Sequence, residues 1–204
     1  MTDAINAIAA KIHALELELE GEFAKQRAGL RHGLEHGKIV FDEQIIRRRR
    51  ELRKSLGRYL LDARPLVALS APVIYSLIIP FALVDAWVSL YQAICFRVYG
   101  IPQVRRSRYL VFDRAELPYL NVLEKLNCAY CSYVNGVIAY VREVGSRTEQ
   151  HWCPIKHARR ILGAHSRYRD FEAYGEGEHY RANLETLRRK LASEAQEPPT
   201  SNAA

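Results

Sequence analysis

Between Leu66 and Val84 the chain runs for nineteen residues without a charge, and this stretch limits the possible folds more than any other. As a helix it reaches about 28 Å, close to the hydrocarbon thickness of a bilayer. The wider apolar segment, Pro65 to Phe96, contains Asp85 as its only charged residue. As one helix it measures about 48 Å, too long for an untilted span and too short for two full ones. Pro72 and Pro80 offer places to bend. Trp87, Tyr91, Phe96 and Tyr99 follow as aromatics of the kind that gather at a membrane interface. Asp85 is expensive in such surroundings. It calls for a cation, with Arg97 a candidate, or else marks the end of the run.

Cations stand on both sides. Arg47, Arg48, Arg49, Arg50, Arg53, Lys54, Arg58 and Arg64 form a basic collar before the run, and Arg97, Arg105, Arg106 and Arg108 follow it. Positive loops resist translocation, so basic flanks at both ends favour a re-entrant or shallow hairpin whose ends stay on one side. The alternative is a single span over 66–84 followed by an interfacial helix, which would put the rest of the chain on the other side. Thirty Lys and Arg against 23 Asp and Glu give a formal charge of +7, which suits an anionic neighbour. Because the cations adjoin the apolar run, an anionic lipid surface fits better than nucleic acid. A soluble nucleic-acid binder would need the run to be a core helix.

Residues 1–64 read as a helical arm. Ile5, Ile8, Ile12, Leu15 and Leu19 alternate three and four apart, a heptad seam of about two repeats, which predicts a helical hairpin or a self-associating coiled coil. Gly29, Gly33 and Gly37 lie four apart, either as a stripe for close helix approach or as a hinge. His32 and His36 share that spacing and read as solvated histidines in preference to metal ligands.

The remaining signal is chemical. Cys128 and Cys131 are three apart in an apolar helical pattern and share a face. Cys153 and His157 are four apart, and Pro154 suits the first turn of a new helix, whose N-terminus would favour a Cys153 thiolate. If a turn around Gly145 to Gln150 folds the second helix back on the first, three sulfurs and an imidazole converge as a Cys3His zinc-type site. Glu124 and Asn135, on the thiol face, would orient the ligands. Iron or haem are alternative occupants, since a Cys-Pro pair resembles haem-regulatory motifs. Inert core cysteines and a redox dithiol compete with any metal.

The block of Asn127, Cys128, Tyr130, Cys131, Tyr133, Asn135, Gly136 and Tyr140, then Arg147 to Gln150 and Trp152 to His157, resembles a group of small uncharacterised bacterial membrane-associated proteins. The resemblance spans roughly residues 85 to 160 and implies no activity. With it, the expected location is the bacterial inner membrane, with the soluble parts in the cytoplasm. The N-terminal segment has no secretory signal pattern.

Asp113 with Glu116 suggests a capping box opening the helix that carries Cys128. Residues 180–195 read as a polar helix with Leu184, Leu187 and Leu191 on one side. A phosphate loop and a nucleophile elbow are both absent from the sequence. The expected architecture is all-α: a helical arm with its basic collar over 1–64, a membrane-embedded segment over 65–100, a helical Cys/His module over 101–195 and a disordered tail over 196–204. The expected function is a membrane-anchored interaction or assembly protein with a structural zinc site. Its expected partners are an anionic bilayer, an unknown protein and a second copy through the arm. The alternative is a membrane-bound metal, haem-thiolate or thiol-redox enzyme using Cys153 and the Cys128/Cys131 pair.

Overall fold

The computed structural model of the protein describes residues 2–29, 32–35, 38–41, 43–61 and 64–194. The expected tail over 196–204, together with His36 and Gly37, lies outside them. The fold is all-α in class, with one short β-hairpin among the described residues. The chain divides into two compact units, Met1–Arg53 with Glu116–Tyr119, and Lys54–Ala115 with Leu120–Ala204.

In the first unit, α1 spans Thr2–Gly29 as one helix of 28 residues. Ile8, Ile12, Leu15 and Leu19 stand exposed along it. The glycine stripe does not form on a helix. Gly29 ends α1, and His32–Glu35 (β1) pairs antiparallel with Lys38–Phe41 (β2), His32 opposite Phe41 and Glu35 opposite Lys38. Glycine weakens a helix by about 1 kcal/mol per residue, and β-branched Ile39 and Val40 fit a pleated strand. The helix α2, Glu43–Glu51, then carries Arg47 to Arg50.

The second unit opens with α3, Leu56–Leu61, and is built on two long helices. The apolar segment is one continuous helical rod, not a hairpin: α4 (Pro65–Ser76), α5 (Ile78–Tyr91), a π turn (Gln92–Phe96) and α6 (Arg97–Tyr99). Pro65 occupies the first turn, where its missing N–H costs nothing. Gly100, at φ 69°, takes the left-handed position that ends the rod.

The second long helix, α7, spans Val122–Trp152 without a break. Its capping box is Asn121 with Glu124, not Asp113 with Glu116, which form a 3-10 turn. The Asn121 side chain accepts from the Glu124 N–H at 2.9 Å, and the Glu124 carboxylate accepts from the Asn121 N–H at 2.8 Å. Pro118 precedes this cap and so leaves the helix intact. The expected turn at Gly145 to Gln150 is absent because that stretch is held as helix from outside. Ser146 and Gln150 are buried, and the Gln150 amide donates to the Leu187 carbonyl at 2.8 Å. That carbonyl belongs to α8, Tyr180–Ser193, which buries Leu184, Leu187 and Leu191 as the sequence pattern predicts. Pro154 begins no helix; α7 stops at Trp152, two residues before it, as the steric restriction before proline dictates.

The core gathers Phe96 of the rod, Ile101 and Val104 of the connection, Tyr140 and Val144 of α7, and Leu191 of α8. The connection from Gly100 to Asn121 returns along α7, and it comes so close at Gly136 that a β-carbon there would meet the Tyr109 carbonyl oxygen at 2.6 Å. Gly145, on the same helix, has nothing within 4 Å of that position. The two glycines therefore respond oppositely to alanine. Gly136→Ala is expected to lower stability by about 1–3 kcal/mol through overpacking against backbone, and Gly145→Ala to raise it by up to about 1 kcal/mol. Denaturant titration of both variants checks this pair of signs.

Candidate functional site

The rod turns Asp85 and Gln92 inward, while Ser70, Ser76 and Arg97 stay exposed. Within α4 no residue is buried, within α5 the one buried residue is Asp85, and in the π turn they are Gln92 and Phe96. Leu83, Trp87, Leu90, Ile94 and Val98 form the opposite stripe, each between 51% and 75% exposed. A soluble amphipathic helix has the reverse arrangement.

A polar seam joins the rod to α7 along its length. The Tyr75 hydroxyl donates to Asn127, and the Tyr130 hydroxyl donates to the Ile74 carbonyl at 2.7 Å. One helical stretch onward, Asp85 accepts a bidentate pair from Arg106, Nε to Oδ1 at 2.8 Å and an Nη to Oδ2 at 2.6 Å. The Tyr133 hydroxyl adds a bond to the same carboxylate at 3.0 Å. The expected partner of Asp85 is thereby corrected from Arg97 to Arg106. Arg97 follows Asp85 on the same rod, whereas Arg106 lies on the connection that folds back beside it.

Further along, Gln92 pairs with Val104 as a strand residue would. Its amide oxygen accepts from the Val104 N–H at 3.0 Å, and its amide nitrogen donates to the Val104 carbonyl at 3.2 Å and to the Tyr140 hydroxyl at 2.6 Å. Tyr140 also meets Ser89 at 3.2 Å, and Tyr91 meets Thr148 at 3.1 Å. Within this seam the sequence marks only Asp85 as needing a polar partner, and Tyr91 is named there as an interface aromatic. Tyr133 and Tyr140 enter the sequence reading only as members of the cysteine block, and Gln92 carries no periodic signal there.

The four expected metal ligands do not meet. Cys128 is half-buried and Cys131 exposed on α7, while Cys153 is exposed and caps the other end of the same helix. Twenty-five residues of continuous helix put Cys128 and Cys153 about 37 Å apart along the axis. His157 lies beyond the helix with its ring stacked on Tyr168, 6.3 Å between centroids. Among the described residues no three or more His, Cys, Asp or Glu side chains are grouped to hold a metal ion. The donors present therefore do not converge as the Cys3His zinc site expected within one chain. Cys153 sits at the negative end of the helix dipole, not at the N-terminus expected for a thiolate. Glu124 and Asn135 serve their own helix: Glu124 closes the capping box, and the Asn135 amide donates to the Cys131 carbonyl at 2.9 Å. Of the collar, Arg47, Arg48, Arg50, Arg53, Lys54, Arg58 and Arg64 are exposed, while the Arg49 side chain is outside the described ones.

A second charged cluster secures the far end of α7. Glu143 accepts from Arg147 at 2.8 Å and from Arg167 at 2.9 Å, and Arg167 also pairs with Glu194 at 2.6 Å. Burial alone would raise the Glu143 carboxyl, but Arg147 and Arg167 outweigh it and hold it below the ordinary carboxylate range. With the folded value lower than the unfolded one, this group adds stability above the usual carboxylate range and loses it as pH falls through the folded value.

Two predictions follow from these clusters. Removing the cation in Arg106→Ala leaves the buried Asp85 with Tyr133 alone and, because Arg106 is itself half exposed, is expected to cost about 1–3 kcal/mol, whereas Asp85→Leu with Arg106→Met together recovers most of the loss; chemical denaturation in detergent measures both. Tryptophan fluorescence should show an acid transition in the wild type, as pH falls below the ordinary carboxylate range, that is blunted in Glu143→Gln, a variant already destabilised at neutral pH.

No family model, no curated protein and no solved structure matches the chain. Its function has to be sought in the polar seam, the exposed rod and the exposed arm.

Proposed function

We propose that the protein is a membrane-attached scaffold, with the rod as its bilayer element and α1 as its protein-binding element. One observation carries the reading: the rod keeps Asp85 and Gln92 inside the protein and presents Leu83, Trp87, Leu90, Ile94 and Val98 outward. Polar side chains turn inward and apolar ones outward where the surrounding medium is hydrocarbon. Rod Pro65–Tyr99 is also the one helix, among the described residues, long and apolar enough to cross a membrane.

The surroundings of the rod favour a position along the bilayer surface over a crossing. The outer stripe runs on past Val84 to Val98, well beyond the uncharged run. In a crossing orientation, the irregular backbone around Val111 to Arg114, which flanks Ser132 to Gly136 of α7, would enter hydrocarbon beside Asp85. Irregular, lipid-exposed backbone does not persist there. Lying in the interface, the rod buries its outer face by several ångströms while the connection and α8 stay in water. Both ends of the rod are then on one side, where the arginines before and after it meet anionic headgroups.

The arm supplies the second half of the reading. Ile8, Ile12, Leu15 and Leu19 lie exposed at heptad spacing along this 28-residue helix, an unburied apolar seam that suits pairing with a second copy.

Cysteines introduced one at a time as Arg58→Cys and Arg97→Cys, in a chain whose four native cysteines are replaced by serine, test the orientation in right-side-out and inverted vesicles with a membrane-impermeant maleimide. Labelling of both from the same side is expected; labelling from opposite sides would mean a crossing. Sedimentation of the full chain in detergent should show a dimer that Ile12→Asp with Leu15→Asp reduces to monomer.

A further inference from the structure

The loop between α7 and α8 carries Lys156, His157, Ala158, Arg159, Arg160, Ile161 and Leu162 in succession, a short basic run ending in two large apolar residues. Arg159, Arg160, Ile161 and Leu162 are all exposed, and Leu162 reaches 88%. Nothing in the fold requires an apolar residue there, and a solitary exposed leucine would be ordinary. This one is neither solitary nor far from the rod.

Ile161 helps line an open apolar groove of about 460 Å³ whose other walls include Phe81 and Val84 of the rod and Val137 and Ile138 of α7. The loop tip therefore sits beside the last turn of the uncharged run. It is also held stiffly. The Lys156 N–H donates to the Glu172 carbonyl and the Glu172 N–H to the Pro154 carbonyl, each at 2.8 Å. On the return side, Arg142 donates to the carbonyls of Gly163 and Ala164 at 3.0 and 2.7 Å, and His165 is bonded to Glu149 at 2.8 Å. A loop fixed at both ends gives up little conformational freedom when it binds.

Building on the membrane reading of the rod, we propose that this loop is a second bilayer contact. Ile161 and Leu162 enter the acyl boundary next to Phe81 and Val84, and Arg159 and Arg160 meet the phosphates of anionic lipids. The partner follows from the chemistry: apolar side chains continuous with the rod, rimmed by cations on the same loop, match an anionic lipid surface. The contact also sets how the protein sits on the membrane. With the rod alone, the body could roll about the rod axis; a second contact to one side of that axis fixes the roll.

A benzophenone side chain placed by amber suppression in the full chain tests this, at Leu162, at Trp87 on the outer stripe and at Arg189 on the exposed face of α8. The protein is reconstituted on vesicles of phosphatidylcholine with phosphatidylserine, irradiated and analysed by mass spectrometry. Covalent lipid adducts are expected at 162 and 87 and not at 189. Adducts at 87 without any at 162, or protein adducts at 162 in place of lipid, would overturn the proposal while leaving the rod's role standing. Absence of adducts at both 87 and 162 would remove the membrane reading and this proposal together. As a second arm, Arg159→Glu with Arg160→Glu should lower the yield at 162 roughly tenfold on phosphatidylserine vesicles and leave it unchanged on pure phosphatidylcholine; equal yields on both would rule out the role given to the arginines.

Discussion

The bond pair between Asp85 and Arg106, with Tyr133 as its third member, is what the second unit depends on. An aspartate in the middle of an apolar helix is tolerable only if its charge is met and its oxygens are bonded. Meeting it draws the connection after the rod back alongside, and the same carboxylate draws α7 in through Tyr133. Gln92 then repeats the device one stretch on, bonding Val104 and Tyr140 at once. Apolar contact between two helices is non-directional and permits sliding or rotation. A line of directional bonds fixes both the register and the face.

That inward polarity has a consequence for what the rod can touch. Between Ile78 and Phe96 its polar side chains, Asp85, Ser89, Tyr91 and Gln92, are bonded within the fold, so the outer stripe there is left with hydrocarbon and indole side chains. Water is a poor medium for such a surface over so great a length. The two arginine groups that bracket the run then matter as a pair. In the membrane reading proposed above, they would restrict how deep the rod can go and on which side its ends remain.

Much of this was legible from sequence because it rests on local signals. The apolar run, the leucine spacing of α8 and the need of Asp85 for a cation all follow from residue type and period. The longer inferences failed where a distant residue overruled a local one. Gly145 looked like a corner, yet Gln150 is held by Leu187 and the helix runs through it. Once that corner is lost, Cys128 and Cys153 separate, and spacing that looks like a ligand set becomes two pairs at opposite ends of one helix. Asp113 and Glu116 have the capping-box pattern, but Asn121 and Glu124 have it too, with no proline to follow. Tyr133 and Tyr140 were indistinguishable from filler, since a phenol advertises its hydroxyl only when the partner is in view.

The π turn at Gln92–Phe96 bears on the straightness of the outer stripe. Over the fifteen steps from Leu83 to Val98 an ordinary helix drifts by roughly 60° from the line on which it began. A π turn winds less per residue, so five such residues take back most of that rotation. The widened turn acts as an angular correction that keeps the stripe from Leu83 to Val98 on one straight edge of the helix.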